Sequence, residues 1–120
     1  MNCLDTYALV ELSSGNPKFS TLMKEEFVIP DPTMAEFYLV IKKKHNDETA
    51  NYWHRKLAQF CKPVPRQTLI NALLFREENK AEDISVFDAV GYVFARENKH
   101  AFVTGDKAFR NKTGVMFIQK

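Results

Sequence analysis

The sequence predicts one α/β domain built on a parallel sheet, and three observations carry that prediction. Short apolar runs without polar alternation lie before Asp5 and at Phe27-Val28-Ile29, Ala101-Phe102-Val103-Thr104 and Val115-Met116-Phe117-Ile118, as suits strands buried on both faces. The stretches between them carry apolar residues at helical spacing, the alternation of a sheet covered by helices. A chain of 120 residues, 45% hydrophobic and 27% charged, is enough for one core and has no repeat or linker. A single domain over 1–120 is therefore expected.

The opening run ends at Asp5 as a buried first strand. Tyr7, Leu9, Val10 and Leu12 mark a helix that Gly15-Asn16-Pro17 breaks, and Phe19 to Glu26 predicts a second short helix. Phe27-Val28-Ile29 is the second strand, stopped by Pro30-Asp31-Pro32. Ala35 to Lys44 is helical up to the polar break His45-Asn46-Asp47. Ala50, Trp53, Leu57 and Phe60 mark another long helix. Pro63-Val64-Pro65 leaves room for only a very short strand. Leu69, Ile70, Leu73 and Leu74 mark the next helix, closed by the charged stretch Arg76 to Asp83, and Val86, Ala89, Val90, Val93 and Phe94 mark the one after. The strand at 101–104 ends at Gly105-Asp106, a short polar helix runs from Lys107 to Gly114, and the last strand follows. Two helices lie between the second and third strands and two more between the third and fourth; spacing leaves open which of each pair makes the crossover.

The formal net charge of +2 permits a nucleic-acid partner without demanding one. Cys3 and Cys61 lack metal-ligand spacing and read as small buried hydrophobes in a reducing compartment. The first residues have no basic stretch and reach an acid at once, unlike a signal peptide. The longest apolar stretch, Ala89 to Ala95, is too short for a membrane span. A soluble, cytoplasmic protein is expected.

Chemistry concentrates in the acids. In a parallel α/β sheet, ligands bind outside the carboxyl ends of the strands. Asp5 closes the first strand, Asp106 closes the strand at 101–104, and Glu36 is expected in the first turn of the helix after the second strand. Asp88 begins the helix that leads into that later strand. Carboxylates gathered at one edge repel each other unless a cation joins them. Oxygen-only ligands favour a hard ion such as Mg²⁺ or Mn²⁺. Such an ion activates water and stabilises a leaving oxygen, especially with two ions about 3.5–4 Å apart. Zinc suits the sequence poorly, because His45, His54 and His100 are scattered.

Each acid also has a purely structural reading. Thr33-Met34-Ala35-Glu36 and Ser85-Val86-Phe87-Asp88 match a capping box or its acidic variant, worth about 0.3–1 kcal/mol through the helix dipole. Asp5 alone reads as a turn residue at a strand end, and Asp106 as the N-cap of the last helix. The residues by themselves leave both readings open.

Three segments taken in order resemble a PIN-domain ribonuclease, and more narrowly the VapC-like group of small prokaryotic PIN proteins. They are Cys3-Leu4-Asp5-Thr6; Thr33-Met34-Ala35-Glu36-Phe37; and Phe87-Asp88-Ala89-Val90 with Phe102-Val103-Thr104-Gly105-Asp106-Lys107-Ala108-Phe109. The closing segment is the most specific, and together they cover nearly the whole chain. The resemblance implies a three-layer domain with a parallel sheet in the order 3-2-1-4-5. It implies Asp5, Glu36, Asp88 and Asp106 as Mg²⁺ or Mn²⁺ ligands of a site that cuts single-stranded or loop RNA. Thr104 is implied as a hydroxyl that orients an acid, with Thr6 a weaker candidate. A homodimer and a small antitoxin partner are implied as well. The chain departs from the pattern at Ala108, where many relatives carry another acid, and at the apolar Phe87 before Asp88.

Other features divide between function and packing. Lys107, Arg110 and Lys112 follow Asp106 and are placed to meet RNA phosphates, whereas Lys42-Lys43-Lys44 suits a solvated helix end. Tyr52, Trp53 and Phe60 read as core, or as a dimer or antitoxin surface, before base stacking. Ser13-Ser14 and Ser85 lack His/Asp partners for nucleophilic catalysis. A phosphoaspartyl protein ranks below, since Thr6-Tyr7 follows Asp5 where a phosphatase needs a second Asp. The alternative within the resembled family is a weak or silent PIN-fold module that binds RNA or a protein partner.

Overall fold

The computed structural model describes all residues, 1–120. Five strands make one parallel sheet in the order β3-β2-β1-β4-β5: β1 (Asn2–Leu4), β2 (Phe27–Pro30), β3 (Cys61–Lys62), β4 (Ala101–Thr104) and β5 (Val115–Phe117). The helices are α1 (Thr6–Ser13), α2 (Pro17–Ser20), α3 (Asp31–Lys44), α4 (Asp47–Leu57), α5 (Arg66–Glu78) and α6 (Val86–Glu97). The sheet order expected from the family resemblance is the one found.

Register explains why the strands lack polar alternation. Cys3 stands beside Val28 and Phe102 in one row, and Leu4 beside Val103 in the next. Successive residues point to opposite faces, so each row needs its own apolar layer. Leu4, Ile29 and Val103 pack under α1, α3 and α4 with Leu9, Phe37, Ile41 and Leu57. Cys3, Val28 and Phe102 pack on the other face with Val90, Tyr92, Phe94 and Phe109. Both faces are covered, and a buried parallel sheet results.

Two crossovers left open by spacing are settled by packing. The helix α6 lies against β1 and β4, while α5 packs on α6. Likewise α3 lies against β2 and β3, and α4 packs on α3.

Several boundaries differ from expectation for local reasons. The third strand is Cys61–Lys62, ahead of Pro63-Val64-Pro65, because proline nitrogens have no proton for the ladder with Ile29 and Pro30. The helix α3 begins at Asp31, with Pro32 in its first turn, so Glu36 lies in the second turn and Thr33 is buried inside the helix instead of capping it. The stretch before β2 starts at Pro17 and splits into α2 and a 3₁₀ turn, Thr21–Lys24. After Asp106 the chain makes only one 3₁₀ turn, Lys107–Phe109. Cys3 is buried as expected, but Cys61 is half-buried; both are free thiols.

Candidate active site

Asp5 follows β1 and caps α1, its Oδ1 accepting the Ala8 N–H at 2.8 Å. It is 3% exposed. The Thr104 hydroxyl, at the end of β4, also bonds this carboxyl. Burial nonetheless pushes Asp5 up to about 7, against the lowering effect of those two hydrogen bonds and with help from the negative charges of Asp106 and Glu36.

Asp106 leaves β4 two residues later. Its N–H donates to Thr104 Oγ1 at 3.0 Å, and its carboxylate accepts the Ala108 N–H at 3.0 Å. Gly105 between them is required by space: a Cβ there would stand 2.1 Å from the Tyr7 ring and 2.7 Å from the Ile118 carbonyl. Only glycine lets α1 close onto this turn.

Asp88 enters from α6. Ser85 caps that helix, accepting the Asp88 N–H at 3.1 Å, so the capping expectation holds for the backbone. The Asp88 carboxyl belongs elsewhere. Burial pushes it up to about 7, then come the charges of Asp5 and Asp106, a hydrogen bond with Asp106 that favours its protonated form, and the charge of Glu36. Glu36 reaches the group from the second turn of α3, held by the Thr6 hydroxyl. Its capping reading falls, because it is not at the helix start.

The structure therefore brings all four predicted acids into electrostatic contact at the carboxyl edge of the sheet. Thr104 bonds the Asp5 carboxyl and accepts the Asp106 N–H. Thr6, the weaker candidate from sequence, binds Glu36 directly. No three Asp, Glu, His or Cys side chains are closed up into a ready-made cage for an ion. The donor set is nevertheless all oxygen, mutually repelling and part-buried, which fits a hard divalent cation that keeps water in its shell.

The surrounding residues depart from expectation at the basic cluster and at Tyr52, and meet it elsewhere. Lys112 is occupied, paired to Glu82 at 2.8 Å and lying over the Phe75 ring. Arg110 lies over Phe117, and Lys107 is exposed beside Asp106. Phe60 stacks on Phe27 and Trp53 packs on the core, whereas Tyr52 is exposed. The stretch Lys42-Lys43-Lys44 is the exposed end of α3. No helix is long and apolar enough to cross a membrane.

Sequence reasoning missed a cleft beside α3 lined by Asp31, Tyr38, Asn51 and His54. Asp31 had been legible only as part of a strand stop, and nothing in the spacing of the others marks a shared wall.

The fold recurs in solved structures. A toxin–antitoxin complex from Klebsiella pneumoniae superimposes with a TM-score of 0.79 at 20% identity, over 97% of this chain and 96% of that one. VapC20 of Mycobacterium tuberculosis, described as a sarcin–ricin loop cleaving toxin, gives 0.81 at 13% identity over 96% and 97%. FitAcB from Neisseria gonorrhoeae gives 0.73 at 19% identity over 98% and 97%. No curated protein sequence matches the chain. At these identities the likeness speaks for the fold. The PIN domain pattern matches residues 3–115, nearly the full length, and the chain belongs to the PIN domain family.

Proposed function

We propose that this protein is a Mg²⁺- or Mn²⁺-dependent endoribonuclease that cuts single-stranded or loop RNA with an activated water. One observation carries the reading: four acids from separate segments meet at one sheet edge, where Asp5 and Asp88 are both pushed up to about 7. Folding alone gains nothing from such crowding, and a bound cation offsets it. When bound, that ion would supply the Lewis acidity that activates water and stabilises the leaving oxygen. Asp5, Glu36, Asp88 and Asp106 would hold it. The chain's further contribution is positional: Thr6 fixes Glu36, while Thr104 and the Ala8 N–H fix Asp5. Lys107, exposed next to Asp106, would meet the phosphate backbone.

The PIN family and the toxins among its structural neighbours support a cytoplasmic toxin restrained by a small antitoxin. A homodimer is proposed through the outer face of α5, where Leu69, Ile70, Leu73 and Leu74 are exposed. The second reading, a silent module that binds RNA or a protein without cutting, is favoured by the absence of a preformed cage and by Ala108 in an acid's place. The two separate on one experiment. Wild-type protein with Mn²⁺ should cleave a labelled single-stranded RNA and gain melting temperature as the ion is titrated, and Asp106→Asn should do neither. Unchanged cleavage by Asp106→Asn would overturn the assignment. Neither cleavage nor ion-linked stabilisation in the wild type would leave the silent module.

A further inference from the structure

A cleft of about 670 Å³ lies between α3, α4 and the start of β3. Its floor includes Met34 and Cys61, while burial and the Asp31 charge push the Cys61 thiol up, so it stays uncharged. The polar groups are few and specific. Asp31 stands exposed at the head of α3. Asn51 accepts the Tyr38 hydroxyl on Oδ1 at 2.7 Å, which leaves its Nδ2 as a donor. The Tyr38 and His54 rings meet edge to face, 5.9 Å apart at 84°.

Position ties this cleft to the acids. Ala35 lines it and also lines the shallow groove that holds Glu36. Asp31 follows β2 directly, as Asp5 follows the neighbouring strand β1, so the head of the cleft stands at the same carboxyl edge of the sheet. A strand with its phosphate at the acids would have this cleft on the β2 side of that edge.

We propose that the cleft is a subsite for one unpaired nucleobase next to the scissile phosphate, with guanine the best fit; this rests on the nuclease reading above. No Lys or Arg lines it and a carboxylate does, so a phosphate is repelled. Asp31, His54 and Cys61 do not form a trio that grips a metal. A flat heterocycle suits both parts: its face meets the apolar floor and the Tyr38 or His54 ring, and its edge meets the polar groups. Guanine alone presents two adjacent donors, N1–H and N2–H, to the two oxygens of Asp31, with O6 beside them as an acceptor for Asn51. Uracil offers one N–H between two carbonyls, which a carboxylate repels. Adenine and cytosine each set a ring acceptor next to their amino donor.

The test has two arms, so that the subsite and the nuclease reading fail separately. In calorimetric titration, the full chain should bind 5′-GMP about tenfold or more tighter than 5′-UMP, by the discrimination of a two-point edge contact. Asp31→Asn should abolish that preference, and His54→Ala should weaken both nucleotides together; both positions are exposed, and thermal melts check the fold. In the second arm, cleavage of a randomised RNA pool with Mn²⁺ should place guanine at one fixed position from the cut, and Asp31→Asn should cut without that bias. Equal binding of GMP and UMP, or cleavage without base bias in the wild type, overturns the subsite. Guanine preference without cleavage keeps the subsite and overturns the nuclease. A polypeptide partner that fills the cleft, while nucleotide binding ignores both substitutions, would assign the cleft to protein recognition instead.

Discussion

The carboxyl edge of the sheet and the outer face of α5 depart from ordinary folding chemistry in opposite directions. At the edge, ionisable groups are drawn out of water and crowded together, so that Asp5 and Asp88 are pushed up to about 7. On α5, four large apolar side chains at 69, 70, 73 and 74 are left between 38% and 57% exposed. Its neighbour α6 shows the usual arrangement, burying Ala89, Val90, Tyr92, Phe94 and Ala95. The difference teaches that each region carries a cost which packing within the chain does not offset. Under the proposed function a bound cation would relieve the acids, and a second copy of the chain would cover the apolar stripe. Both costs fall on the isolated protein, and what completes each region can be tested apart from the other.

The largest effect is expected from Asp5→Asn. Asparagine caps a helix as well as aspartate does, so the turn into α1 should survive. Mn²⁺-dependent RNA cleavage should fall by at least about a hundredfold, the scale seen when one group that stabilises a transition state is removed. The metal-free melting temperature should hold or rise, because one repelling charge is gone. Lost activity with a lowered melting temperature would place Asp5 in the fold and blur the contrast between the two regions.

The pH dependence of the metal-free protein comes next. Both Asp5 and Asp88 have folded values near 7, raised from 3.8. A raised acid binds its proton more tightly in the folded chain, so the folded state is favoured while the group stays protonated there. That advantage is present below about pH 4 and is lost as pH rises through 7. One unit corresponds to about 1.4 kcal/mol, and the two groups share their repulsion, so the joint loss is on the order of a few kcal/mol. Melting temperature should fall by several degrees from pH 5 to pH 8 in EDTA, and Mn²⁺ should cancel the fall. A flat profile in EDTA would mean that water relieves the acids without an ion.

These two regions were not equally legible in the sequence. Asp5 and Asp106 could be placed at one edge because unbroken apolar runs name the strands and an acid follows the first at once and the other after a single glycine. Glu36 was placed correctly on its helix but one turn too early, since Pro30-Asp31-Pro32 reads as a stop when Pro32 in fact sits in the first turn. The sheet order came through family resemblance and not through spacing. The α5 helix was legible, its exposure was not: Leu69, Ile70, Leu73 and Leu74 have the period of a helix face, and period carries no information about what lies opposite. Of the residues that face inward, Thr68 and Ala72 are too small or too polar to announce it, and Phe75, packed on Tyr92, is the large one. The cleft at Asp31 was invisible for a related reason, being made by the packing of α4 on α3.

A smaller effect is expected from Thr6→Val. Its hydroxyl donates to Glu36, and losing one such bond costs about 0.5–1.5 kcal/mol. Cleavage at saturating Mn²⁺ should drop severalfold, and Thr6→Ser should restore it. If Thr6→Val cuts as well as the wild type, Glu36 is held by the acid cluster itself, or plays no part in it.

The smallest effect on folding is expected where the most apolar surface is shown. Leu73 and Leu74 are 54% and 57% exposed, so replacing both with serine removes little that the single chain buries. The melting behaviour of a dilute, monomeric sample should move by no more than about 0.5 kcal/mol per site. The mass in sedimentation at high concentration should nevertheless fall from two copies to one, since the stripe on α5 is the surface proposed to join them. Buried core leucines such as Leu4 and Leu9 give the control, because truncating either should cost about 2–5 kcal/mol. A dimer that survives the double serine change would move the interface off α5. A monomer that unfolds on that change would show the stripe already covered within one chain, and the opposition between the two regions would then collapse to the acids alone.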